Sequence, residues 1–261
     1  MNELHDLDEV ASPPRTLPPG VVLDDKPPFV PRMVMTPQLT AVLRDVVAQW
    51  KHRDKFAGLT PFGIRPLDRL LFYGPPGNGK TLACYWVGKQ LGVPVYRVLC
   101  NQLHGNCLGD TTRAVAKAVK FLDSQPEPGI CLWDEIESIF VDRRQSQGQC
   151  DREVAAALTV FLQALDRWKS PMLLVMATNL PEQLDAALLS RVALKLEFLG
   201  PNADQCGKLL DYWCELLAKF GSEEWGPRVR EAITATPPES FRELQQVIGY
   251  SAREWVARQC S

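Results

Sequence analysis

The sequence predicts an α/β fold in which helices cover both faces of a parallel β-sheet. Short apolar runs alternate along the chain with segments of helical periodicity, and strands that are apolar throughout are typical of a sheet buried on both faces. A glycine-rich loop joins the first of these strands directly to a helix, as in many such folds. The strands are predicted at Leu70–Tyr73, Val93–Leu99, Ile130–Trp133, Met172–Met176 and Ala193–Phe198, the last of them at an edge of the sheet.

The helices are predicted from apolar residues that recur at helical spacing. The first begins at Thr36-Pro37, with Thr36 as its N-cap and Pro37 in its first turn, and carries an apolar stripe as far as Trp50. Another follows the glycine-rich loop at Leu82–Val87. Two more are predicted at Thr111–Leu122 and Asp151–Trp168, so that a helix lies between each pair of consecutive central strands.

The chain is predicted to divide into three parts. Residues 1–35 form a tail, residues 36–200 form the large α/β domain, and residues 201–261 form a small helical domain. Gly200-Pro201 marks the second boundary, because both residues interrupt regular structure. The small domain is predicted to contain three helices, at about residues 202–220, 225–235 and 240–259.

The tail is acidic and rich in proline. Such a segment buries too little apolar surface to offset the entropy lost on ordering, so we expect residues 1–35 to be disordered. The alternative is a short docking segment around the apolar residues Val21-Val22-Leu23 and Phe29-Val30.

Composition excludes several classes of protein. The net charge of −2 over 261 residues gives no bulk attraction to nucleic acid or to an anionic membrane. The sequence contains no apolar run of about 18 residues, the length that a membrane-spanning helix requires. Its eight cysteines include no C-x-x-C pair, which argues against a zinc site or a thioredoxin-like motif. We therefore expect a cytoplasmic protein with reduced thiols and without a membrane partner.

The loop after the first strand has the pattern G-x-x-x-x-G-K-[ST], which is typical of a phosphate-binding loop. Its glycines let backbone N–H groups turn toward a polyphosphate, and the following helix directs its positive end to the same place. Lys80 can reach the β- and γ-phosphates of ATP, and Thr81 can hold Mg²⁺. The residues predicted to bind the nucleotide are Gly74, Pro75, Pro76, Gly77, Asn78, Gly79, Lys80, Thr81 and Leu82.

A pair of acidic residues, Asp134-Glu135, ends the third predicted strand. Asp134 is predicted to join Thr81 in holding Mg²⁺, and Glu135 to polarise the attacking water as a general base. By itself, such a pair is also typical of an ordinary strand end whose carboxylates cap the next helix.

Two further residues fit the same chemistry. Asn179 ends the strand after Asp134-Glu135 and could orient the water or sense the γ-phosphate. Arg191 stands just ahead of the edge strand, too far around the sheet for its own phosphate loop, and could reach a neighbouring subunit's γ-phosphate as an arginine finger. Taken alone, a turn asparagine before Pro181 and a surface arginine are ordinary explanations.

In this order and spacing, the four elements resemble the AAA+ ATPase superfamily. Gly74–Thr81 resembles Walker A, Ile130–Glu135 resembles Walker B, Asn179 resembles sensor 1 and Arg191 resembles the arginine finger. The resemblance covers about residues 60–250. It implies a sheet of order 5-1-4-3-2, a C-terminal helical lid, and ATP sites between the subunits of a homo-oligomeric ring, usually a hexamer.

The details are similar to the AAA+ proteins that remodel HORMA proteins. These share a single arginine before Ala-x-Lys, here Arg191, and an arginine in the lid, here Arg242. The resemblance implies that Arg242 touches the phosphates of the nucleotide; a solvated arginine on a helix face is the alternative. The segment Cys107-Leu108-Gly109 takes the place of the pore loop of unfolding rings but lacks the aromatic ring that grips a peptide, which disfavours processive threading.

We therefore expect a Mg²⁺-dependent ATPase whose ring remodels a protein or a protein complex, with a protein substrate or adaptor as its partner. The alternative is an ATP-switched loader or assembly factor that acts on a nucleic-acid complex, because loaders also favour a single Ser-Arg finger, here Ser190-Arg191. The segment Asn101–Asp110 near the presumed pore contains no lysine or arginine, so the sequence does not indicate nucleic acid as a partner.

Replacing Lys80 by alanine is expected to abolish ATP binding, because the change removes the cation that faces the β- and γ-phosphates. Isothermal titration calorimetry of the purified variant measures this directly. An affinity equal to that of the parent would contradict the assignment of the phosphate-binding loop.

Overall fold

The computed structural model describes residues 16–24, 33–56, 58–104, 109–140, 149–218 and 225–259. Strands and helices alternate through the first two hundred residues, and three helices follow. The strands are β1 (Val21–Asp24), β2 (Arg69–Tyr73), β3 (Val95–Leu99), β4 (Gly129–Asp134), β5 (Met172–Thr178) and β6 (Leu194–Glu197). The helices are α1 (Pro37–Lys51), α2 (Lys80–Leu91), α3 (Asp110–Asp123), α4 (Gln149–Arg167), α5 (Ala186–Leu189), α6 (Ala203–Ala218), α7 (Trp225–Ala235) and α8 (Phe241–Gln259).

The six strands form one sheet in the order β1-β3-β4-β5-β2-β6. All neighbouring pairs are parallel except β1 and β3, which are antiparallel. From β6 to β3, the five parallel strands follow the order 5-1-4-3-2, and β6 lies at one edge as predicted. The α/β fold with a parallel sheet is therefore confirmed, and the sheet is longer than expected by one strand.

The additional strand β1 corrects the prediction for the N-terminal region. Residues 1–35 were expected to form a disordered tail, but all four residues of Val21–Asp24 pair with residues 95–98 of β3. Val21 is buried, and the antiparallel pairing gives main-chain hydrogen bonds to a run too short to stand out in an acidic, proline-rich segment. The prediction of disorder is wrong for this strand. The alternative of a docking segment around Val21–Leu23 stays a prediction, and Phe29 and Val30 lie outside the described residues.

Strand β4 shows why the sheet is buried on both faces. Its side chains alternate, so that Ile130 and Leu132 pack beneath α1 and α2, whereas Cys131 and Trp133 belong to the core beneath α3 and α4. Trp133 makes an edge contact with the ring of Phe161, at a centroid distance of 4.6 Å. A central strand such as β4 therefore contributes side chains to the apolar cores on both faces of the sheet, as its continuously apolar sequence predicted.

Helix α1 begins as predicted, because the Thr36 hydroxyl accepts a hydrogen bond from Leu39 N at 3.2 Å and Pro37 occupies the first turn. The three C-terminal helices lie within two residues of their predicted limits and share a separate apolar core. Its buried members are Cys206, Leu209, Leu210, Trp225, Val229, Leu244 and Ile248. The division into domains at residue 200 stays a prediction.

Two segments singled out in the sequence fall outside the described residues. Cys107 and Leu108 of the presumed pore loop are not described, although Gly109 immediately precedes α3. In the described ranges no helix combines the length and the apolar composition that crossing a membrane would require.

Candidate nucleotide-binding site

A cavity of about 580 Å³ opens at the carboxyl ends of the central strands. Ligands of parallel α/β sheets bind at this edge, because the loops that leave the strands diverge there. Three groups of residues line the cavity: the phosphate-binding loop with the strand ends, the segment before α1, and the C-terminal helices.

The phosphate-binding loop has the close approaches that require glycine. Gly74 (φ 131°) and Gly77 (φ 82°) both adopt positive φ angles. A Cβ atom at Gly77 would lie 2.9 Å from the Cβ of Arg242, and one at Gly74 would collide with the carbonyl oxygen of Phe198. Helix α2 then begins at Lys80, and Gly79 before it has no side chain that could cap the first N–H groups. These N–H groups can therefore bind an anion.

Lys80 projects back into this loop. Its ammonium donates hydrogen bonds to the carbonyl oxygens of Gly74 at 2.6 Å and Pro75 at 2.9 Å. Burial lowers the pKa of the Lys80 ammonium, and the carboxylates of Glu137 and Asp134 oppose this change. The cation is thus held at the place where the sequence predicted contact with the phosphates.

Thr81 and Asp134 face each other across the end of the sheet. The Thr81 hydroxyl donates to Asp134 Oδ2 at 3.2 Å. Burial raises the pKa of Asp134, whereas the Arg97 guanidinium lowers it. A hydroxyl and a carboxylate are the hard oxygen ligands that Mg²⁺ prefers. Within the described ranges no cluster of three His, Cys, Asp or Glu side chains could hold a metal, so phosphate oxygens and water would complete the coordination shell of an ion at this site.

Glu135 follows Asp134 in a strained backbone conformation. Its φ of 57° is the one positive value among the described residues other than glycine. Such strain persists where the surrounding structure imposes it, often at functional sites. The Glu135 carboxylate accepts a hydrogen bond from Asn101 Nδ2 at 3.4 Å and lies at the cavity wall. Strain and hydrogen bond together orient the predicted general base.

Asn101 was not predicted to contribute to the site. It follows β3, and the β3–β4 register places Leu99 opposite Asp134. A polar side chain immediately after a strand that neighbours the Asp134-Glu135 strand is the signal that could have identified it.

Asn179 reaches the cavity but is anchored to Glu137. Its backbone N–H and its side-chain amide donate to Glu137 Oε1 at 3.1 and 3.2 Å. Glu137 was not predicted to contribute to the site either, although it stands two residues after Glu135. The structure therefore brings Asn179 to the side of the cavity where Glu135 lies, as the prediction requires, through a carboxylate that the sequence analysis gave no role.

Arg191 does not line this cavity, and neither do Gly74 and Pro75 at the start of the phosphate-binding loop. Its guanidinium makes a bidentate ion pair with Asp166 of α4, with N–O distances of 2.8 and 2.9 Å, and donates to Ala187 O at 2.8 Å. Asp166 was not predicted. The separation agrees with a function in a neighbouring subunit, and that function stays a prediction.

The three C-terminal helices α6, α7 and α8 correspond to the predicted lid. This lid contacts the phosphate-binding loop through Asn78, which is 3% exposed. The Asn78 side chain accepts from Phe241 N at 3.3 Å and donates to Phe198 O at 3.4 Å. Arg242 N donates to Gly77 O at 3.2 Å, and the Arg242 side chain lines the cavity. The start of α8 is thus bonded to the loop, and Arg242 lies where the resemblance placed it, although its contact with phosphate stays a prediction.

The remaining wall is apolar and was not predicted. It is formed by the segment before and in α1 and by one residue each of α6 and α8, and its members are Met33, Val34, Met35, Leu39, Leu209 and Phe241. A wall of this kind beside a phosphate-binding loop suits a flat, partly apolar ring such as a nucleotide base.

Residues 70–199 match the family described as ATPase family associated with various cellular activities (AAA). The chain carries an AAA ATPase domain. The match covers all of the parallel strands except the first residue of β2, together with the phosphate-binding loop, Asp134-Glu135, Asn179 and Arg191.

Curated relatives of this AAA domain come from bacteria, animals and plants. An AAA family ATPase of Sinorhizobium fredii named y4kL is 30% identical over 68% of this chain and 52% of its own length. The 26S protease regulatory subunit 6A of Caenorhabditis elegans is 32% identical over 66% of this chain and 40% of its own length. The 26S proteasome regulatory subunit S10B homolog B of Arabidopsis thaliana is 31% identical over 62% of this chain and 42% of its own length. The chain thus spans about half of the length of these relatives, or less.

A solved structure shares the fold beyond the AAA domain. It is a chain from the Escherichia coli MS115-1 complex of HORMA, CdnC and Trip13, with a TM-score of 0.58 and 20% sequence identity. The superposition covers 88% of this chain and 93% of the other. At this level of identity the likeness concerns the fold alone.

Replacing Asn78 by alanine is expected to loosen the lid, because the Phe241 amide loses its hydrogen-bond acceptor at the start of α8. The loss of one such bond costs about 1 kcal/mol, so hydrogen exchange at the start of α8 should accelerate by about fivefold. Hydrogen-exchange mass spectrometry of peptides that contain Phe241 measures this.

Asn202→Ala is the matched control, since it removes an Asn side chain that accepts from Gln205 N at 2.9 Å at the start of α6. It should leave exchange at Phe241 unchanged. Equal acceleration by both variants would contradict a specific bond between loop and lid.

Proposed function

We propose that this chain hydrolyses ATP with Mg²⁺ and that the reaction drives an oligomeric ring, expected to be a hexamer, which remodels a protein or a protein complex. The observation that carries the proposal is the convergence of four side chains on one cavity. Lys80 and Thr81 come from the start of α2, Asp134 and Glu135 come from the end of β4, and all four line the cavity. Their chemistry matches the parts that phosphoryl transfer requires.

In the proposed mechanism, Lys80 and the first N–H groups of α2 bind the β- and γ-phosphates. Thr81 and Asp134 would hold Mg²⁺, which, when bound, neutralises charge on the phosphate oxygens. Glu135 accepts the proton of the attacking water on its carboxylate, and Asn101 holds that carboxylate in place. Asn179, fixed by Glu137, orients the water or senses the γ-phosphate.

The position of Arg191 supports a site shared between subunits. The guanidinium lies outside its own cavity and is held in a fixed orientation by both oxygens of Asp166. A side chain that is held rigidly away from its own nucleotide can complete the site of a neighbour, and such a finger closes a ring by head-to-tail contacts.

The net charge of −2 favours a protein over a nucleic acid as the target of this chain. The names of its relatives agree, because two are regulatory subunits of the 26S proteasome and one structural likeness comes from a complex that contains HORMA. We further propose a cytoplasmic location. A steady-state ATPase assay tests the target class: added protein fractions should raise the rate, and stimulation by DNA alone would support a nucleic-acid loader instead.

Mixing two inactive variants tests the shared site. Glu135→Gln subunits lack the base but keep the finger, whereas Arg191→Ala subunits lack the finger, a loss of about 10³-fold in rate in related systems. In rings assembled at equal ratio, about a quarter of the interfaces combine an intact base with an intact finger, because each interface joins one site to one neighbour. The ATPase rate should therefore recover to a similar fraction of the parent rate.

The control mixes Arg191→Ala with a chain that carries both substitutions, which restores no interface and should stay inactive. Absence of recovery in the first mixture, with subunit exchange proven by two affinity tags, would contradict a site completed in trans.

A further inference from the structure

A row of polar side chains lies on one face of the sheet between strand β1 and Asp134. The Tyr85 hydroxyl of α2 donates a hydrogen bond to Asp24 Oδ2 at the end of β1. Arg97 of β3 lies between this pair and the cavity, with its Nε 3.4 Å from Asp134 Oδ2. The row extends from the N-terminal strand to the carboxylate that is predicted to hold the metal.

The sheet register explains why these side chains meet. Asp24 is paired with Val95, two residues before Arg97, and Leu99, two residues after it, is paired with Asp134. Side chains two residues apart on a strand share a face of the sheet. Asp24, Arg97 and Asp134 therefore point to the same face, which is the one covered by α2 and its Tyr85.

Arg97 and Thr81 approach the same oxygen of Asp134. Thr81 Oγ1 donates to Oδ2 at 3.2 Å, and Arg97 Nε lies 3.4 Å from it on the other side. The Asp134 side chain is only 15% exposed, so these two contacts, together with the backbone hydrogen bond from Glu135, restrict the orientation of its carboxylate. With Oδ2 occupied in this way, the orientation of the second oxygen is restricted as well.

Arg97 has polar neighbours other than Asp134, since Asp24 shares its face of the sheet and Tyr85 of α2 is bonded to Asp24. Arg97 Nε is buried, and its contact with Asp134 does not have hydrogen-bond geometry, so it is a charge contact without strong directionality. Burial lowers the pKa of Arg97, but the Tyr85 hydroxyl and Asp134 raise it above its ordinary value. Tyr85 in turn stays a proton donor, because burial and the bond to Asp24 raise its pKa.

We propose that Arg97 is a positioning residue for Asp134 and that β1, through Asp24 and Tyr85, keeps Arg97 in place. Docking of the N-terminal strand on β3 thereby tunes how strongly the site binds a metal–nucleotide complex. The inference rests on the proposed function, since it takes Asp134 as a ligand of Mg²⁺. It adds a control element, β1, that lies outside the matched AAA residues 70–199.

The test measures binding rather than turnover. The affinity of the parent for the fluorescent analogue N-methylanthraniloyl-ATP is determined with Mg²⁺ and with EDTA, and the ratio gives the gain that the metal confers. Tyr85→Phe and Asp24→Ala, neither of which lines the cavity, should reduce this gain by about fivefold, the effect of losing one hydrogen bond of ordinary strength. Arg97→Gln should reduce it further, and Arg97→Lys, which keeps the charge, should restore part of it.

In EDTA all four variants should bind the analogue as the parent does, because the inference gives Arg97 contact with Asp134 and none with the nucleotide, although Arg97 lines the cavity. Tyr212→Phe in α6 is the matched control for loss of a tyrosine hydroxyl and should leave both affinities unchanged. Circular dichroism melting is used to confirm that each variant is folded.

Three results would overturn the inference. An unchanged gain in folded Tyr85→Phe and Asp24→Ala would show that β1 does not act on the site. An equal loss with Mg²⁺ and EDTA would show a general structural effect. A loss in EDTA for Arg97→Gln alone would show that Arg97 contacts the nucleotide itself. Failure of the parent to bind the analogue under either condition would instead contradict the proposed function.

Discussion

Burial of two opposite charges at one edge of the sheet is the constraint on which the rest of the site depends. The Lys80 ammonium and the Asp134 carboxylate both lie in surroundings that disfavour ionisation, since burial lowers the pKa of one and raises that of the other. Each charge is kept by specific partners. Gly74 and Pro75 turn their carbonyl oxygens toward Lys80, and Thr81 and Arg97 approach Asp134. The loop, α2 and β3 are thereby held in one relative arrangement.

The same edge joins parts of the chain that have separate cores. Asn78 contacts both Phe198 at the end of β6 and Phe241 at the start of α8, so the phosphate-binding loop is bonded to the sheet and to the lid. A ligand in the cavity would touch the loop, the segment before α1 and the lid together. A change in the position of α8 would therefore strain or break the bonds that Phe241 N and Arg242 N donate to the loop.

A second layer of side chains orients the residues that would carry out the chemistry. Asn101 holds Glu135, Glu137 holds Asn179, and Asp166 holds Arg191. Each of these pairs joins elements from different parts of the chain, so the packing of the sheet, together with the strained backbone at Glu135, sets the angles of the reactive groups. Such supporting contacts are what confine a reactive group to a narrow range of geometry.

The sequence alone determined the features that depend on neighbouring residues. The pattern from Gly74 to Thr81, the apolar strands and the Thr36 cap are all local, and the structure confirms the parallel sheet and the start of α1. Only the tertiary structure decided which distant residues meet. Tyr85 and Asp24 are 61 positions apart, and Asn101 and Glu135 are 34 apart, and neither pair has a spacing that marks it in the sequence. Strand β1 was missed for the same reason: its four residues are stable as a strand because β3 offers an open edge, and that edge exists only once the sheet has formed.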